Sequence, residues 1–308
     1  MEHSVKVSLI IVTYNAMKWA QRCFFSLRNS SVSVNCIVID NGSTDGTQNF
    51  IKANFPEVDF IQSPENLGFG KANNIGIETA YKNGADFFYL MNQDAWIFED
   101  SIKKLLNVFE TYPKKNEIGI LSPMHLDGTE KKLEVFLDKY IAQNFENRMI
   151  SDLYLNSTEN SYEFDFINAA HWLIPKNTIE TVGGFNPYFF HYGEDNEYVN
   201  RLHFHGKKIL LCPESKVVHD GKQKLNKVNY LKFQDFSLET KILNPNYENG
   251  LQKELKSLQL SCVKNLLLGN FKFSKELKAK YAKIKSEASE LEDIKNKVAQ
   301  TGSTFLNL

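Results

Sequence analysis

Three features are scarce or missing in this sequence of 308 residues, and each absence excludes a class of protein. No uninterrupted apolar run approaches the roughly 20 residues that a membrane-spanning helix needs. The first residues carry no charged leader ahead of an apolar core, so we expect no signal peptide. The four cysteines show no C-x-x-C spacing, which argues against a zinc site or a disulfide framework. We therefore expect a cytoplasmic protein with reduced cysteines.

A glycine-rich phosphate loop directly after the first predicted strand is also absent. A dinucleotide-dependent oxidoreductase needs G-x-G-x-x-G at that position, and here the strand ends in Thr13-Tyr14-Asn15. The nearest glycine pair, Gly68 and Gly70, follows the third predicted strand and lacks a third glycine. The same absence argues against a sugar nucleotidyltransferase, which also combines carboxylates, metal and nucleotide.

Strand and helix patterns alternate along the first part of the chain. Short β-branched or aromatic runs predict strands over residues 7–13, 35–40, 58–62, 87–91 and 118–122. Apolar residues at helical spacing predict helices between them, over residues 16–27, 48–54, 71–81 and 101–112. This order predicts an α/β fold with a Rossmann-like, mainly parallel sheet that is flanked by helices and joined by right-handed crossovers.

The second half of the chain departs from this alternation. Residues 131–162 are polar and weakly periodic, and we interpret them as an irregular insertion that shapes an acceptor site. The later patterns predict strands over 164–174, 209–212 and 216–219, and helices over 176–182, over 194–205 and from about 228 onward. We therefore divide the chain into a catalytic domain, residues 1–221, and a helical C-terminal extension, residues 222–308.

Charge is distributed unevenly between these two parts, although the whole chain has a net charge of only −1. The extension contains 16 lysines, no arginine and nine acidic residues, a net charge of +7, so the first 221 residues carry −8. A basic extension predicts contact with another surface, either peripheral contact with the inner face of the membrane or pairing of two subunits. A solvated helical face explains the same lysines equally well. We expect no nucleic-acid partner.

Polar residues follow four predicted strands at positions that a parallel sheet would bring to one rim. These groups are residues 13–15, 40–43, 66–70 and 92–94. In an open α/β sheet, ligands bind outside the carboxyl ends of the strands, and glycine-bearing turns expose N–H groups that suit phosphate. Tight-turn chemistry and helix capping explain any single group better than a ligand does. Four groups in strand order favour a nucleotide crevice.

Several motifs in one order make the sequence resemble a known family. The first three runs are Val-Ser-Leu-Ile-Ile-Val-Thr-Tyr-Asn, Val-Ile-Asp-Asn-Gly-Ser-Thr-Asp-Gly-Thr and Glu-Asn-Leu-Gly-Phe-Gly-Lys-Ala-Asn-Asn. A second block comprises Gly183-Gly184-Phe185, Gly193-Glu194-Asp195-Asn196-Glu197 with Arg201, and Val217-Val218-His219. Over residues 5–221 the chain resembles a family 2 glycosyltransferase of the GT-A fold. It is most similar to the rhamnosyltransferase branch, which builds bacterial surface polysaccharides.

The resemblance implies a role for each matching residue. Asp40 would accept a hydrogen bond from the imide N–H of uracil or thymine. Asp94 and His219 would bind a divalent cation, Mn²⁺ or Mg²⁺, at the diphosphate of the donor. Asp195 would be the base that deprotonates the acceptor hydroxyl. The other implied nucleotide contacts are Thr13, Asn15, Asn66, Gly68, Lys71, Asn74 and Asn92.

Two further residues are candidates for contact with the acceptor. Trp172 would stack on an acceptor sugar, although packing in the core explains it at least as well. Glu194 lies beside Asp195, where an acid in the first turn of a helix also stabilises the helix dipole.

The chemistry of sugar transfer suits these residue types. A diphosphate leaving group gathers negative charge, which a cation with few protein ligands neutralises while it keeps positions open for phosphate oxygens. The acceptor hydroxyl is a poor nucleophile and needs a carboxylate base. A single base implies inversion at the anomeric carbon. One departure concerns Asn92, which replaces the first acid of the Asp-x-Asp metal motif, as is frequent in this branch, and which should weaken metal affinity.

We therefore expect an inverting, metal-dependent glycosyltransferase. It would move a sugar from a UDP- or dTDP-sugar to a glycan or lipid-linked acceptor in surface polysaccharide synthesis. The alternative is a non-catalytic nucleotide-sugar-binding module on the same scaffold, against which the joint presence of Asp94, Asp195 and His219 argues. The sequence does not name the sugar, because the residues around it come from the insertion and the loops.

Overall fold

A mixed, mainly parallel sheet lies at the centre of the computed structural model, which describes residues 5–221 and 236–308. The strands in these residues are β1 Val7–Thr13, β2 Val34–Asp40, β3 Asp59–Gln62, β4 Phe87–Asn92, β5 Ala95–Ile97, β6 Ile118–Leu126, β7 Tyr162–Phe164, β8 His171–Pro175 and β9 Lys208–His219. Their order is β3-β2-β1-β4-β8-β6-β9-β5, and β7 also pairs with β9. The first four strands of this order are mutually parallel, and β8 runs antiparallel between β4 and β6.

Helices cover both faces of the sheet, as the alternation predicts. They are α1 Met17–Arg28, α2 Thr47–Asn54, α3 Phe69–Lys82, α4 Ser101–Thr111, α5 Val135–Gln143, α6 Met149–Leu155, α7 Lys176–Val182, α8 Glu194–Phe204, α9 236–243, α10 Gly250–Leu267, α11 Phe271–Ser286 and α12 Ala288–Val298. Successive side chains of β1 enter different cores: Ile10 packs toward α3, and Leu9 and Ile11 pack toward α1. Burial on both faces explains why the central strands are continuous apolar runs.

The predicted insertion and the strands after it are partly wrong. Residues 131–162 contain the helices α5 and α6 rather than an irregular segment. The predicted strand 164–174 is two strands, β7 and β8, with a loop between them, and 209–212 and 216–219 belong to one strand, β9. The three-residue strand β5 is too short to leave a periodic signal in the sequence.

The C-terminal extension packs against the catalytic part of the chain. Phe189 shares an apolar core with Ile242, Ile284 and Leu291 of α9, α11 and α12. After α12 the chain returns to the catalytic part, where the Thr304 carbonyl accepts a hydrogen bond from Gly184 N at 2.9 Å. The predicted helical start near 228 lies outside the described residues. In the two described segments, no helix combines the length and apolar character that crossing a bilayer requires.

Candidate active site

The register of the parallel strands brings the predicted polar strand ends to one rim. Thr13 pairs with Asp40 across β1 and β2, and Val12 pairs with Asn92 across β1 and β4. Because β3 lies next to β2, the turn after β3 continues the same rim. The polar strand ends therefore form a row along one edge of the sheet, as the sequence predicts.

Asp40 organises the turn that follows β2. Its fully buried carboxylate accepts hydrogen bonds from Thr13 Oγ1 at 2.9 Å, Ser43 N at 2.9 Å, Ser43 Oγ at 2.6 Å and Gln48 Nε2 at 2.7 Å. These four donors use the accepting capacity of both carboxylate oxygens. A nucleobase imide would have to displace one donor, and Gln48 is the one long, flexible side chain among them.

Asn15, Asn66 and Gly68 shape the loops on either side of Asp40. Asn15 adopts a left-handed backbone with φ 52°, and its Oδ1 accepts a hydrogen bond from Thr44 N at 2.8 Å. Asn66 Oδ1 accepts from Gly68 N at 2.9 Å. Gly68 has φ +80°, and a Cβ there would lie 2.1 Å from the Phe190 carbonyl oxygen. The close approach of the Phe190 backbone therefore accounts for the glycine without any ligand.

Asn74 and Trp172 both have packing roles, and their predicted ligand contacts remain predictions. The buried Asn74 amide accepts from Phe185 N at 2.7 Å and donates to Phe185 O at 2.8 Å, which holds the loop before α8. Trp172 is fully buried, stacks on Phe185 with ring centroids 6.0 Å apart, and donates to the Ile167 carbonyl. Lys71 is exposed on the first turn of α3.

Asp94 and His219 meet because β5 pairs antiparallel with the end of β9. Ala95 is the partner of His219, and Asp220 N donates to the Asp94 carbonyl at 2.8 Å. His219 Nε2 lies 3.6 Å from Asp94 Oδ1 and 3.4 Å from Asn92 Nδ2. Residues 125 positions apart in the sequence thus form one cluster at the rim.

The donor atoms of this cluster fit a divalent cation. Two ligands of one Mg²⁺ or Mn²⁺ stand about 3 Å apart, so a small rotation brings Asp94 Oδ1 and His219 Nε2 onto one ion. Asn92 Oδ1 is buried and has no hydrogen-bond partner among the described residues. Turning this amide by half a rotation would direct its oxygen to the same point. Asp94 is partly exposed, which leaves coordination positions open to a ligand.

Glu134 lies on the other side of the His219 ring, and no motif in the sequence points to it. Its Oε2 accepts from Phe136 N and Leu137 N and caps α5. Its Oε1 is buried, has no hydrogen-bond partner among the described residues, and lies 3.7 Å from His219 Nδ1. Burial lowers the pKa of His219, but the Glu134 side chain and the charge of Asp94 outweigh burial and raise it. A lone glutamate in a polar segment carries no recognisable motif.

His125 and His171 extend this buried cluster into the core. His171 Nε2 faces the Val218 carbonyl at 3.1 Å and therefore carries the proton, so its Nδ1 accepts from the Tyr89 hydroxyl at 2.9 Å. Burial lowers the pKa of His171 to about 3 and lowers that of His125 well below its usual value. Both rings are therefore neutral at physiological pH.

The ligand atoms of His125, Glu134 and His219 lie within 4.8 Å of one another, which is a possible cation cluster. All three side chains are buried, so a cation among them would have no open position for a phosphate oxygen. The Asp94 side of His219 does have such positions. We therefore assign the Glu134 side to supporting the imidazole.

Glu194 and Asp195 open α8, directly after the left-handed Gly193. Burial and the neighbouring Asp195 charge raise the pKa of Glu194 to about 8. Burial also raises the pKa of Asp195, against the hydrogen bonds that it accepts from Asn196. Burial raises the pKa of the Tyr140 hydroxyl, and the charges of Asp195 and Glu134 raise it further. The charges of both carboxylates thus act on this hydroxyl.

Arg201 joins α8 to the end of α7 and the loop that follows it. It is fully buried and forms a two-point ion pair with Glu197, with N–O distances of 2.9 and 3.0 Å. Its guanidinium also donates to the carbonyls of Val182 and Gly184. The Glu197 and Arg201 parts of the sequence motif thus have a structural role.

Comparison with known proteins identifies a family for the first half of the chain. Residues 8–153 match the family model described as Glycosyl transferase family 2. The chain carries a family 2 glycosyltransferase domain. The resemblance to this family is therefore confirmed, and the protein is a glycosyltransferase.

Two relatives of this glycosyltransferase are named as rhamnosyltransferases. The dTDP-rhamnosyl transferase RfbF of Shigella flexneri is 25% identical over 211 residues, which cover 68% of this chain and 67% of the relative. The N-acetylglucosaminyl-diphospho-decaprenol L-rhamnosyltransferase of Mycobacterium tuberculosis is 25% identical over 234 residues, which cover 68% of this chain and 75% of the relative. Both match the predicted branch.

Solved structures confirm the GT-A type of fold. The structure of S. aureus TarS superposes with a TM-score of 0.54 at 14% identity, over 78% of this glycosyltransferase but only 40% of TarS. The structure of GalNAc-T7 with UDP, GalNAc and Mn²⁺ superposes with a TM-score of 0.53 at 15% identity, over 80% of this chain and 52% of that one.

Proposed function

We propose that this glycosyltransferase is inverting and metal-dependent and uses a UDP- or dTDP-sugar as its donor. The observation that carries the proposal is that two groups of acidic residues stand on different elements of the fold. Asp94 and His219 stand at the strand rim, and Asp195 opens α8. Displacement at an anomeric carbon needs a centre for the leaving group and a centre for the nucleophile on opposite sides of the sugar.

The residues on each side have distinct tasks in this proposal. A divalent cation held by Asp94 and His219 would neutralise the diphosphate that leaves. Asp195 accepts the proton of the acceptor hydroxyl as that oxygen attacks the anomeric carbon, and its raised pKa makes it a stronger base than an ordinary carboxylate. Thr13, Asn15, Asp40 and Asn66 line the nucleotide side, and one displacement inverts the configuration.

The names of the relatives support a first choice of substrates. A dTDP-rhamnosyl transferase among them makes dTDP-rhamnose the first donor to test. A relative named for a diphospho-decaprenol acceptor supports a lipid-linked acceptor, to which a peripheral position at a membrane would give access. UDP-sugars remain the second donor class.

The test is the Asp195→Asn variant, assayed with dTDP- and UDP-sugars with and without Mn²⁺. We expect transfer to fall by about 10²–10⁴-fold because the general base is lost. The dissociation constant of dTDP or UDP, measured by calorimetry, should stay unchanged because Asp195 does not contact the nucleotide. Normal turnover of this variant would show that Asp195 is not the base. Nucleotide binding without any metal-dependent turnover in the wild type would favour the non-catalytic binding module.

A further inference from the structure

The turn between α10 and α11 carries a patch of large apolar side chains that face solvent. We call residues 260–273 the hairpin tip. Leu267 is 81% exposed, Phe271 68% and Leu268 64%. The other exposed apolar residues of the tip are Leu260, Val263, Leu266 and Phe273. A patch of this kind on a globular protein marks an interaction site.

The apolar side chains of the tip do not serve the core of the extension. The buried face of α10 consists of Leu251, Glu254 and Leu258, which repeat at helical spacing. Further along α10, Cys262 continues the packed side and its thiol contacts Ser274 Oγ at 3.2 Å. The seam between the two helices therefore becomes polar toward the tip, and the leucines there lie outside it. Folding of the hairpin does not explain them.

Lysines surround the apolar patch. Residues 256–285 contain eight lysines and one acidic residue, Glu276, a net charge of +7. Lys264, Lys272 and Lys275 lie within or next to the tip and are exposed. Four acidic residues of the extension lie instead within residues 287–293, at α12. The tip thus has an apolar centre and a basic rim.

We propose that the hairpin tip binds an anionic lipid bilayer. The leucine and phenylalanine side chains would insert at the level of the headgroups, and the lysines would bind the lipid phosphates. A second copy of the chain fits less well, because a contact between two tips would bring the exposed lysines Lys264, Lys272 and Lys275 of both copies together. The inference deepens the proposed function, since it places the enzyme at a membrane where a lipid-linked acceptor would lie, but lipid binding is measurable without transfer.

The experiment is flotation of the full chain with vesicles of phosphatidylcholine alone or of two parts phosphatidylcholine to one part phosphatidylglycerol. We expect flotation only with the anionic vesicles. Leu267→Ser/Phe271→Ser should weaken it at least about tenfold. Lys264→Ala/Lys272→Ala/Lys275→Ala should weaken it on the order of 100-fold, because each lysine near an anionic surface contributes about fivefold.

A matched control pair lies on α6. Tyr154 and Leu155 are 85% and 67% exposed, as Leu267 and Phe271 are, but they lie away from the lysine cluster in the sequence. Tyr154→Ser/Leu155→Ser should therefore float like the wild type. Equal loss in both double variants would overturn the assignment to the tip, and so would wild-type flotation of Leu267→Ser/Phe271→Ser.

Two further measurements separate the remaining outcomes. A concentration-dependent dimer in sedimentation velocity that disappears in Leu267→Ser/Phe271→Ser, without lipid binding, would identify a second copy as the occupant and overturn the proposal. Calorimetric binding of dTDP or UDP to the same variant should match the wild type. If the wild type itself neither binds dTDP or UDP nor transfers a sugar, the proposed function is wrong. The flotation result then decides lipid binding independently.

Discussion

His219 presents its two ring nitrogens to two different carboxylates. Nε2 faces Asp94 at 3.6 Å, and Nδ1 faces Glu134 at 3.7 Å. A carboxylate behind a metal-binding histidine fixes the proton on the far nitrogen and raises the basicity of the near one. Glu134 is therefore a positioning residue for the proposed cation.

Glu134→Gln tests this role. The amide can still cap α5, because one oxygen remains, but it no longer attracts the Nδ1 proton. We expect Mn²⁺ affinity to fall by about 10–100-fold, measured by calorimetry or by the electron spin resonance signal of free Mn²⁺. Asp138→Asn removes an exposed acid from the first turn of the same helix and should leave affinity unchanged. If both variants bind Mn²⁺ with the same affinity, Glu134 does not support the metal site.

Glu194 makes the stability of the protein depend on pH. Its folded pKa of about 8 lies above the ordinary 4.5, so the folded state keeps a proton that the unfolded state releases as pH rises. The wild type therefore loses stability between about pH 4.5 and pH 8. Glu194→Gln carries no charge and should gain on the order of 4 kcal/mol in the free energy of unfolding at pH 8, and almost nothing at pH 4.

Urea unfolding of this variant and the wild type across that pH range measures the difference. Glu99→Gln, at an exposed position, is the control. The assignment of a buried, protonated Glu194 would be wrong if Glu194→Gln behaved like Glu99→Gln.

The sequence allows an individual site residue to be predicted where a motif places that residue at the end of a strand or the start of a helix. Asp40, Asp94, Asp195 and His219 stand at such positions. Their pairing across β1, β2, β5 and β9 follows from the register of the sheet. Glu134 was missed because it lies in a segment without a pattern. The sequence could not separate the packing role of Asn74 from ligand binding, since its partners come from residues 111 and 231 positions further along the chain.

At the scale of elements, prediction worked best where a strand is buried on both faces. Such strands are unbroken apolar runs, and the turns between β1, β2, β3 and β4 have glycine or asparagine at the expected places. The prediction that residues 131–162 are irregular was wrong because α5 and α6 are short and their apolar residues face different surroundings. Leu137 and Ile141 are buried, whereas Tyr154 and Leu155 are exposed. An N-cap formed by a glutamate also lacks the usual signal of Ser, Thr, Asp or Asn.

At the scale of the whole molecule, the extension and the catalytic part share a core. Phe189 packs on Ile242 and Ile284, and the Tyr188 hydroxyl donates to Glu287 at 2.8 Å. A Cβ on Gly183 would lie 2.2 Å from the Thr304 carbonyl oxygen, so the chain end fits closely against the loop before α8. The division at residues 221 and 222 remains a prediction, but the two parts are not independent in their packing.

Truncation after residue 221 should therefore destabilise the catalytic part. The loss of the shared core uncovers Phe189, which is 1% exposed in the full chain, and we expect a loss of about 3 kcal/mol or more in the free energy of unfolding. Thermal unfolding followed by circular dichroism measures this effect. The full-length Leu267→Ser/Phe271→Ser variant is the control, because its substitutions leave the shared core intact. An unchanged melting temperature of the truncated chain would establish two separable domains.

The basic hairpin has a consequence for how the whole molecule orients itself. With +7 on the extension and −8 on the rest, a net charge of −1 conceals a large electric dipole. An electric field exerts a torque on a dipole even when the net charge is close to zero. An anionic surface would therefore rotate the protein until its lysines face that surface, before any contact forms. Its isoelectric point of about 6.7 is accordingly a poor guide to the surfaces on which it will adsorb.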